Sequence, residues 1–148
     1  MTSLFGALDV AASGLSAERL RMDVISNNLA NANTTRGANG GPYVRQEVVL
    51  QARGGSVGGS AGVDVAQRTG AVGSGVEVAG IVNDPTPGRM VYDPGNPDAN
   101  RQGYVQMPNV NAVTEMTDLI TATRAYEANA TAIQAIKGEA QHALDVLR

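Results

Sequence analysis

The chain has 148 residues, 43% of them hydrophobic, and a formal net charge of −3 from 11 basic and 14 acidic side chains, which suits one folded domain and disfavours wholesale disorder. It contains 22 Ala and 18 Gly but only one Phe, four Tyr and no Trp, which excludes a thick aromatic core or a deep apolar ligand pocket, since aromatic side chains supply the large buried areas both need. Zero Cys removes disulfides, thiol nucleophiles and Cys-ligated metals, His142 is the sole imidazole, and the absence of a basic block argues against nucleic acid or an anionic membrane as partner.

Residues 1–36 hold no Pro and only Gly6 and Gly14. Steps of four and three pick out Leu4, Leu8, Ala11, Leu15, Glu18, Met22, Ile25, Leu29 and Ala32, which predicts a long helix with a heptad seam and one charged defect at Glu18. No Lys or Arg precedes Arg19 and Asp9 interrupts the apolar start, so a cleaved secretory signal is not expected. Asn27, Asn28, Asn31 and Asn33 crowd the end of this helix. Asn is a poor helix former that favours terminations, and its amide also offers donors and an acceptor to neighbouring backbones in a packed assembly.

Residues 37–108 carry all six Pro and 15 of the 18 Gly, so a non-helical, β-rich insert is expected there. From Tyr43 to Ala52, Val44, Val48, Leu50 and Ala52 share one parity and Arg45, Glu47 and Gln51 the other, as in a half-buried strand. Val76–Val82, Arg89–Tyr92 and Gly103–Met107 are shorter strand candidates, and Gly54–Gly75 reads as a Gly- and Ser-rich mobile loop. Asp84-Pro85, Asp93-Pro94-Gly95 and Asn96-Pro97 are turn signals. The carboxylates Asp84, Asp93, Asp98 and Glu115 fit no EF-hand spacing, and Gly70, Gly73 and Gly75 are not followed by the Lys-Ser/Thr of a phosphate loop. No metal, cofactor or catalytic site is therefore expected.

Residues 109–148 contain only Gly138 and follow Pro108. Their seam runs through Ala112, Met116, Leu119, Thr123, Tyr126, Ala130, Ile133, Lys137, Ala140, Leu144 and Leu147, with Asn111 as N-cap and Glu115 and Asp118 at the positive end of the helix dipole. Glu18 and Lys137 would face each other in an antiparallel pair shifted to match them. The expected architecture is α+β: two long terminal helices, in segments 1–36 and 109–148, pairing as an antiparallel coiled coil around the β-rich insert of 37–108. Flanks rich in Ala, at Ala11, Ala12, Ala122, Ala125, Ala128, Ala132 and Ala135, leave room for neighbouring helices, so the terminal helices are expected to be loose in a monomer and ordered in an oligomer.

Several long motifs carry a resemblance. Ala12-Ser13-Gly14-Leu15-Ser16-Ala17-Glu18-Arg19-Leu20-Arg21-Met22-Asp23 runs into Val24-Ile25-Ser26-Asn27-Asn28-Leu29-Ala30-Asn31-Ala32-Asn33-Thr34-Thr35. Further along stand Gly41-Pro42-Tyr43, Val91-Tyr92-Asp93-Pro94-Gly95-Asn96-Pro97-Asp98-Ala99, Gly103-Tyr104-Val105 and Pro108-Asn109-Val110-Asn111. Glu115-Met116, Leu119-Ile120 and Arg124-Ala125-Tyr126-Glu127-Ala128-Asn129 complete the set. In this order they resemble the flagellar basal-body rod proteins of bacteria, most closely the proximal-rod FlgC family.

The resemblance implies a structural subunit, not an enzyme, whose terminal helices pack in a helical tube with the β-rich domain outside, transmitting torque without a chemical step. It implies export by the flagellar type III apparatus without a cleaved signal, and a place in the rod that crosses the periplasm. The implied partners are copies of itself, other proximal- and distal-rod subunits and the adaptor to the membrane ring, with no nucleic acid and no small-molecule substrate. Candidate subunit-interface residues are Leu15, Met22, Ile25, Asn27, Asn28, Leu29, Asn31, Met116, Leu119, Arg124, Tyr126, Glu127, Asn129 and Ile133. Residues 54–75 look longer and more Gly-rich than the corresponding family region, and no contact is carried onto them. Two alternatives stand beside this reading. Another rod- or hook-type axial subunit is disfavoured by the Gly-Pro-Tyr and Asp-Pro-Gly-Asn-Pro segments, and a small enzyme or binding module on the insert would need a pocket with perturbed ionisable groups.

Overall fold

A computed structural model of the chain describes residues 2–37, 40–53 and 75–146. The elements run α1 (Thr2–Ala30), β1 (Gln46–Ala52), β2 (Val76–Asn83), β3 (Met90–Tyr92), β4 (Tyr104–Gln106) and α2 (Ala112–Val146). The α+β class and all four strand candidates are present, and the predicted loop at 54–74 lies outside the described residues. Among the described residues no helix is long and apolar enough to cross a membrane.

At 1.5 Å per residue α1 and α2 are about 44 and 53 Å long, from 29 and 35 residues. The asparagines terminate α1: Asn31 Nδ2 donates to Asn27 O at 3.0 Å and to Asn27 Oδ1 at 2.9 Å, and Thr34 Oγ1 donates to Asn31 Oδ1 at 3.2 Å. Ala32 N and Thr34 N donate three residues back, to Leu29 O and Asn31 O, tightening the exit and satisfying carbonyls that have lost their helical partners. At the start of α2, Asn111 Oδ1 accepts from Val113 N at 3.0 Å and from Thr114 N at 3.5 Å, the expected N-cap.

The α2 seam needs one correction. Leu119, Tyr126, Ile133 and Ala140 are half-buried as expected, but Ala112, Met116 and Lys137 are exposed, and the buried residues are Glu115 and Ala122. One line of the seam therefore stands one residue earlier, at Glu115 and Ala122. Hydrophobic periodicity passes over Glu115 because a carboxylate enters a core only with a partner, and its partner is remote in sequence.

The strands form two separate two-stranded sheets, β1 with β2 and β3 with β4. The β3–β4 pair is antiparallel, with Met90 opposite Gln106, Val91 opposite Val105 and Tyr92 opposite Tyr104. Alternation puts Val91 and the fully buried Val105 on the inner face and leaves Met90, Tyr92, Tyr104 and Gln106 outside, where the two Tyr rings meet edge to face at 5.2 Å. The connection between them is made of side-chain turns, as the Asp and Asn spacing predicts. Asp93 Oδ1 accepts from Gly95 N, Asn96 Oδ1 from Asp98 N, and Asn100 Oδ1 from both Gln102 N and Tyr104 N. Gly88 permits a close crossing: any Cβ there would run into the Met107 carbonyl. Along Tyr43–Ala52, Val48 and Leu50 are half-buried as their parity predicts, whereas Val44 and Ala52 are exposed and Arg45, assigned to the outer face and preceding β1, is half-buried.

The chain divides into two compact units, and both helices contribute to each. The first comprises Met1–Arg19, Val49–Gly80 and Thr123–Arg148; the second comprises Leu20–Val48 and Ile81–Ala122. Among the described residues of the first unit, the buried ones are the small Ala11, Ser13 and Ala17. Ser13 Oγ donates to Val10 O at 2.7 Å and accepts from Val76 N at 3.0 Å, fastening the start of β2 to α1. Gly14 lies so close to α2 that a Cβ there would stand 3.0 Å from Asn129 Nδ2. In an antiparallel pair running through that contact, Glu18 and Lys137 lie on opposite sides of it, about 6 and 12 Å away along the helices. Such a pair is not in the shifted register that would match their charges.

Candidate functional site

In the second unit, a buried polar cluster joins the end of α1, the entry to β1 and the first turn of α2. Glu115 is 0% exposed. Its Oε1 accepts from Arg45 Nε at 2.6 Å and its Oε2 accepts from Asn28 Nδ2 at 3.0 Å. The peptide dipoles of the first turn of α2 favour an anion at this position, and Glu115 N itself donates to Asn111 O at 2.9 Å.

Asn28, 1% exposed, uses its whole hydrogen-bonding capacity. Besides Glu115, its Nδ2 donates to Gln46 O at 2.8 Å, while Oδ1 accepts from Gln46 N at 3.0 Å and from Tyr43 Oη at 2.8 Å. The amide thus pairs with both backbone groups of the first β1 residue, as an adjacent strand would. A second asparagine acts in the same way: Asn109 Oδ1 accepts from Arg45 N at 2.7 Å and its Nδ2 donates to Asp84 O at 3.1 Å. Asp84 N in turn donates to Arg45 O at 2.8 Å, so Asn109 stands between the two backbones just beyond the β1–β2 pairing.

Arg45 sits among four carboxylates. Its closest contact is Glu115, with Glu47, Asp84 and Asp118 at 3.6, 3.8 and 3.7 Å from its terminal nitrogens. The hydrogen bond to Glu115 outweighs the cost of burial and raises the Arg45 pKa still further above its ordinary value. Tyr43 is held protonated to higher pH, first by burial and then by the Glu115 charge. Asp84 is shifted below the ordinary carboxylate value, mainly by accepting hydrogen bonds from Thr86, with a smaller contribution from Arg45. This arrangement locks geometry. Every group in it is engaged by another part of the chain, and the cluster offers no nucleophile beside a base.

A shallow cavity of about 370 Å³ lies between the 35–42 turn and the β3–β4 hairpin, lined among others by Arg36, Met90, Asp98 and Tyr104. Its charged groups engage each other, Arg36 and Asp98 at 3.5 Å, and Thr35 Oγ1 donates to Asp98 Oδ2 at 2.9 Å.

The candidate interface residues are spread over both units. In the second unit Ile25 and Asn28 are buried, Met22, Leu29, Asn31 and Leu119 are half-buried, and Asn27 and Met116 are exposed, Met116 by 55%. In the first unit Leu15, Tyr126, Asn129 and Ile133 are half-buried, while Arg124 and Glu127 are exposed. The structure gathers Asn28 into the cluster, with Asn27 and Asn31 beside it. Tyr43, Arg45, Asn109 and Glu115 were not among the candidates. Three of them carried a signal: Tyr43 closes Gly41-Pro42-Tyr43, Asn109 stands in Pro108-Asn109-Val110-Asn111, and Glu115 opens Glu115-Met116.

The family described as "Flagella basal body rod protein" matches residues 8–38, and that described as "Flagellar basal body rod FlgEFG protein C-terminal" matches residues 101–146. These two segments supply Asn28, Asn109 and Glu115. Among similar proteins, the flagellar basal-body rod protein FlgC of Bacillus subtilis is 47% identical over 96% of this chain and 97% of its own length. That of Borreliella burgdorferi is 44% identical over 98% of both chains, and that of Escherichia coli O6:H1 is 38% identical over 91% of both. With this likeness running nearly end to end, the chain belongs to the FlgC family of flagellar basal-body rod proteins and is a structural subunit of that rod.

Proposed function

We propose that the subunit takes its place in the proximal rod, where it stacks helically with its own copies and transmits motor torque across the periplasm without a chemical step. The observation that carries this reading is the second half of α2: from Thr123 to Asp145 no described side chain is buried. A stretch of helix whose described side chains are half-buried at most gains too little by itself to offset its ordering entropy, and long helices in water depend on packing for their stability. Val113, Met116 and Ile120, exposed at helical spacing, extend the uncovered apolar surface toward the N-terminus of α2.

In this reading segments 1–36 and 109–148 form the rod core as an antiparallel coiled coil, and 37–108 is the outer β-rich domain. Two contacts, each within one unit, support the pairing: Gly14 against Asn129 in the first, and Asn28 against Glu115 in the second. Leu15, Met22, Ile25, Leu29, Leu119, Tyr126, Asn129 and Ile133 then line or flank the helical seam, while Asn27, Met116, Arg124 and Glu127 face neighbours. Those neighbours are copies of this chain, other proximal- and distal-rod subunits and the adaptor to the membrane ring, reached by flagellar type III export. Heterologous contacts between copies suit an open helical stack. Deleting the gene tests the reading: cells are expected to be non-motile and to lack complete rods until the gene is restored, and motile cells with intact basal bodies would overturn it.

A further inference from the structure

We propose that the Asn28–Arg45–Glu115 cluster is a folding latch that holds residues 20–30 of α1, residues 112–122 of α2 and the entry to β1 as one cooperative unit in the free subunit. The distal helical segments, 2–19 and 123–146, then order against neighbours from the ends the latch has fixed. This rests on the reading above, in which those distal segments need partners.

Three observations carry it. Glu115 is fully buried and takes one hydrogen bond from α1 and another from the residue preceding β1, so its charge is compensated only while all three pieces are in place. Asn28 has no spare donor or acceptor, since it bonds Glu115, both backbone groups of Gln46 and Tyr43 Oη. A fully satisfied buried network accepts one arrangement and penalises every partial one. The third observation is where burial is found. Among the described residues, Val24, Ile25, Asn28, Val105, Pro108, Glu115 and Ala122 are buried in the second unit, and the small Ala11, Ser13 and Ala17 in the first.

The latch sits at the last turn of α1 and the first turn of α2, where it acts on the slow step of helix formation. Nucleation fixes several residues for one hydrogen bond, and propagation then adds one bond per residue. With the Asn111 cap made and Glu115 anchored, α2 is already nucleated, and covering its distal turns on incorporation requires propagation alone.

Hydrogen exchange on the dilute full-length chain tests this. Amides of 21–30 and 116–122 are expected to be protected about a hundredfold or more over those of 5–19 and 125–145. Asn28→Ala and Glu115→Ala are each expected to strip protection from both segments, and the double variant to lose little more than the worse single one. Arg45→Lys, which keeps the charge but not the Nε geometry, serves if the Ala variants do not fold, and is expected to lower protection in both segments partway. Equal protection along the whole of both helices would overturn the requirement of the distal segments for partners. Uneven protection combined with additive losses, or with losses confined to the helix carrying the substitution, would overturn the latch alone.

Discussion

The first turns of α2 and its later turns are both helix built largely from Ala, Thr and charged residues, with two Ala in 112–122 and seven in 123–146, and they stand differently in the protein. Near Asn111 the helix is capped, its Glu115 is sealed beneath Arg45 and Asn28, and Ala122 is fully buried. Beyond Thr123 no described side chain is buried, and Ala128, Ala132 and Ala135 are exposed. The difference teaches that the same helical propensity serves two purposes: at one end the chain completes its own core with polar partners, and at the other it presents small side chains that let another helix approach closely. In the proposed reading a rod subunit uses both, because a surface that neighbours cover contributes little before they arrive.

The contrast can be broken by measurement. The largest effect is expected at Arg45: Arg45→Ala leaves Glu115 buried without its cation, and a loss of about 3–5 kcal/mol is expected from the shift in urea midpoint. A loss under about 1 kcal/mol, the scale of an exposed ion pair, would show that water reaches Glu115 and that the two ends of α2 differ less than their burial indicates. Next is Asn111→Ala, which removes the cap and is expected to cost about 1 kcal/mol.

Tyr43→Phe sharpens the comparison through pH. Because the folded-state pKa of Tyr43 lies above 10.0, its contribution to stability is present below that value and is lost as pH rises through the raised one, when an ionised phenol would stop donating to Asn28 and face Glu115. Denaturant titrations are expected to show the wild-type chain losing its advantage over Tyr43→Phe above pH 10; a constant gap would mean that Tyr43 titrates freely. The smallest effect is expected at the distal end, where Ile133→Ala should shift the free chain by less than about 0.5 kcal/mol while weakening incorporation into rods. A large loss in the free monomer would show that this half-buried side chain belongs to a core the subunit completes by itself.

Much of the plan was legible in one sequence. All six Pro and 15 of the 18 Gly lie in the middle, so helices at both ends followed from the scarcity of breakers there, and Asn111 announced its cap. Asp93 and Asn96 read as turn formers and are so, since each accepts from a backbone N–H two residues on, and Asn100, which carried no such reading, does the same and accepts also from one four residues on. Local chemistry suffices for such features because the partner is always within a few residues.

The polar cluster was not legible in this way. Arg45 reads as the outer face of a strand and Glu115 as a dipole-favoured surface acid, and both readings are correct for isolated elements. Seventy positions separate Arg45 from Glu115 and eighty-seven separate Asn28 from Glu115, so no periodicity connects them. The seam of α2 was displaced by one residue along one of its lines for the same reason. The sequence by itself determined the two long helices, the placement of the insert and, through motifs carried along nearly its whole length, the family. Tertiary structure decided which charges are buried, because burying a carboxylate is favourable only where a cation and a hydrogen-bond donor from distant parts of the chain meet it.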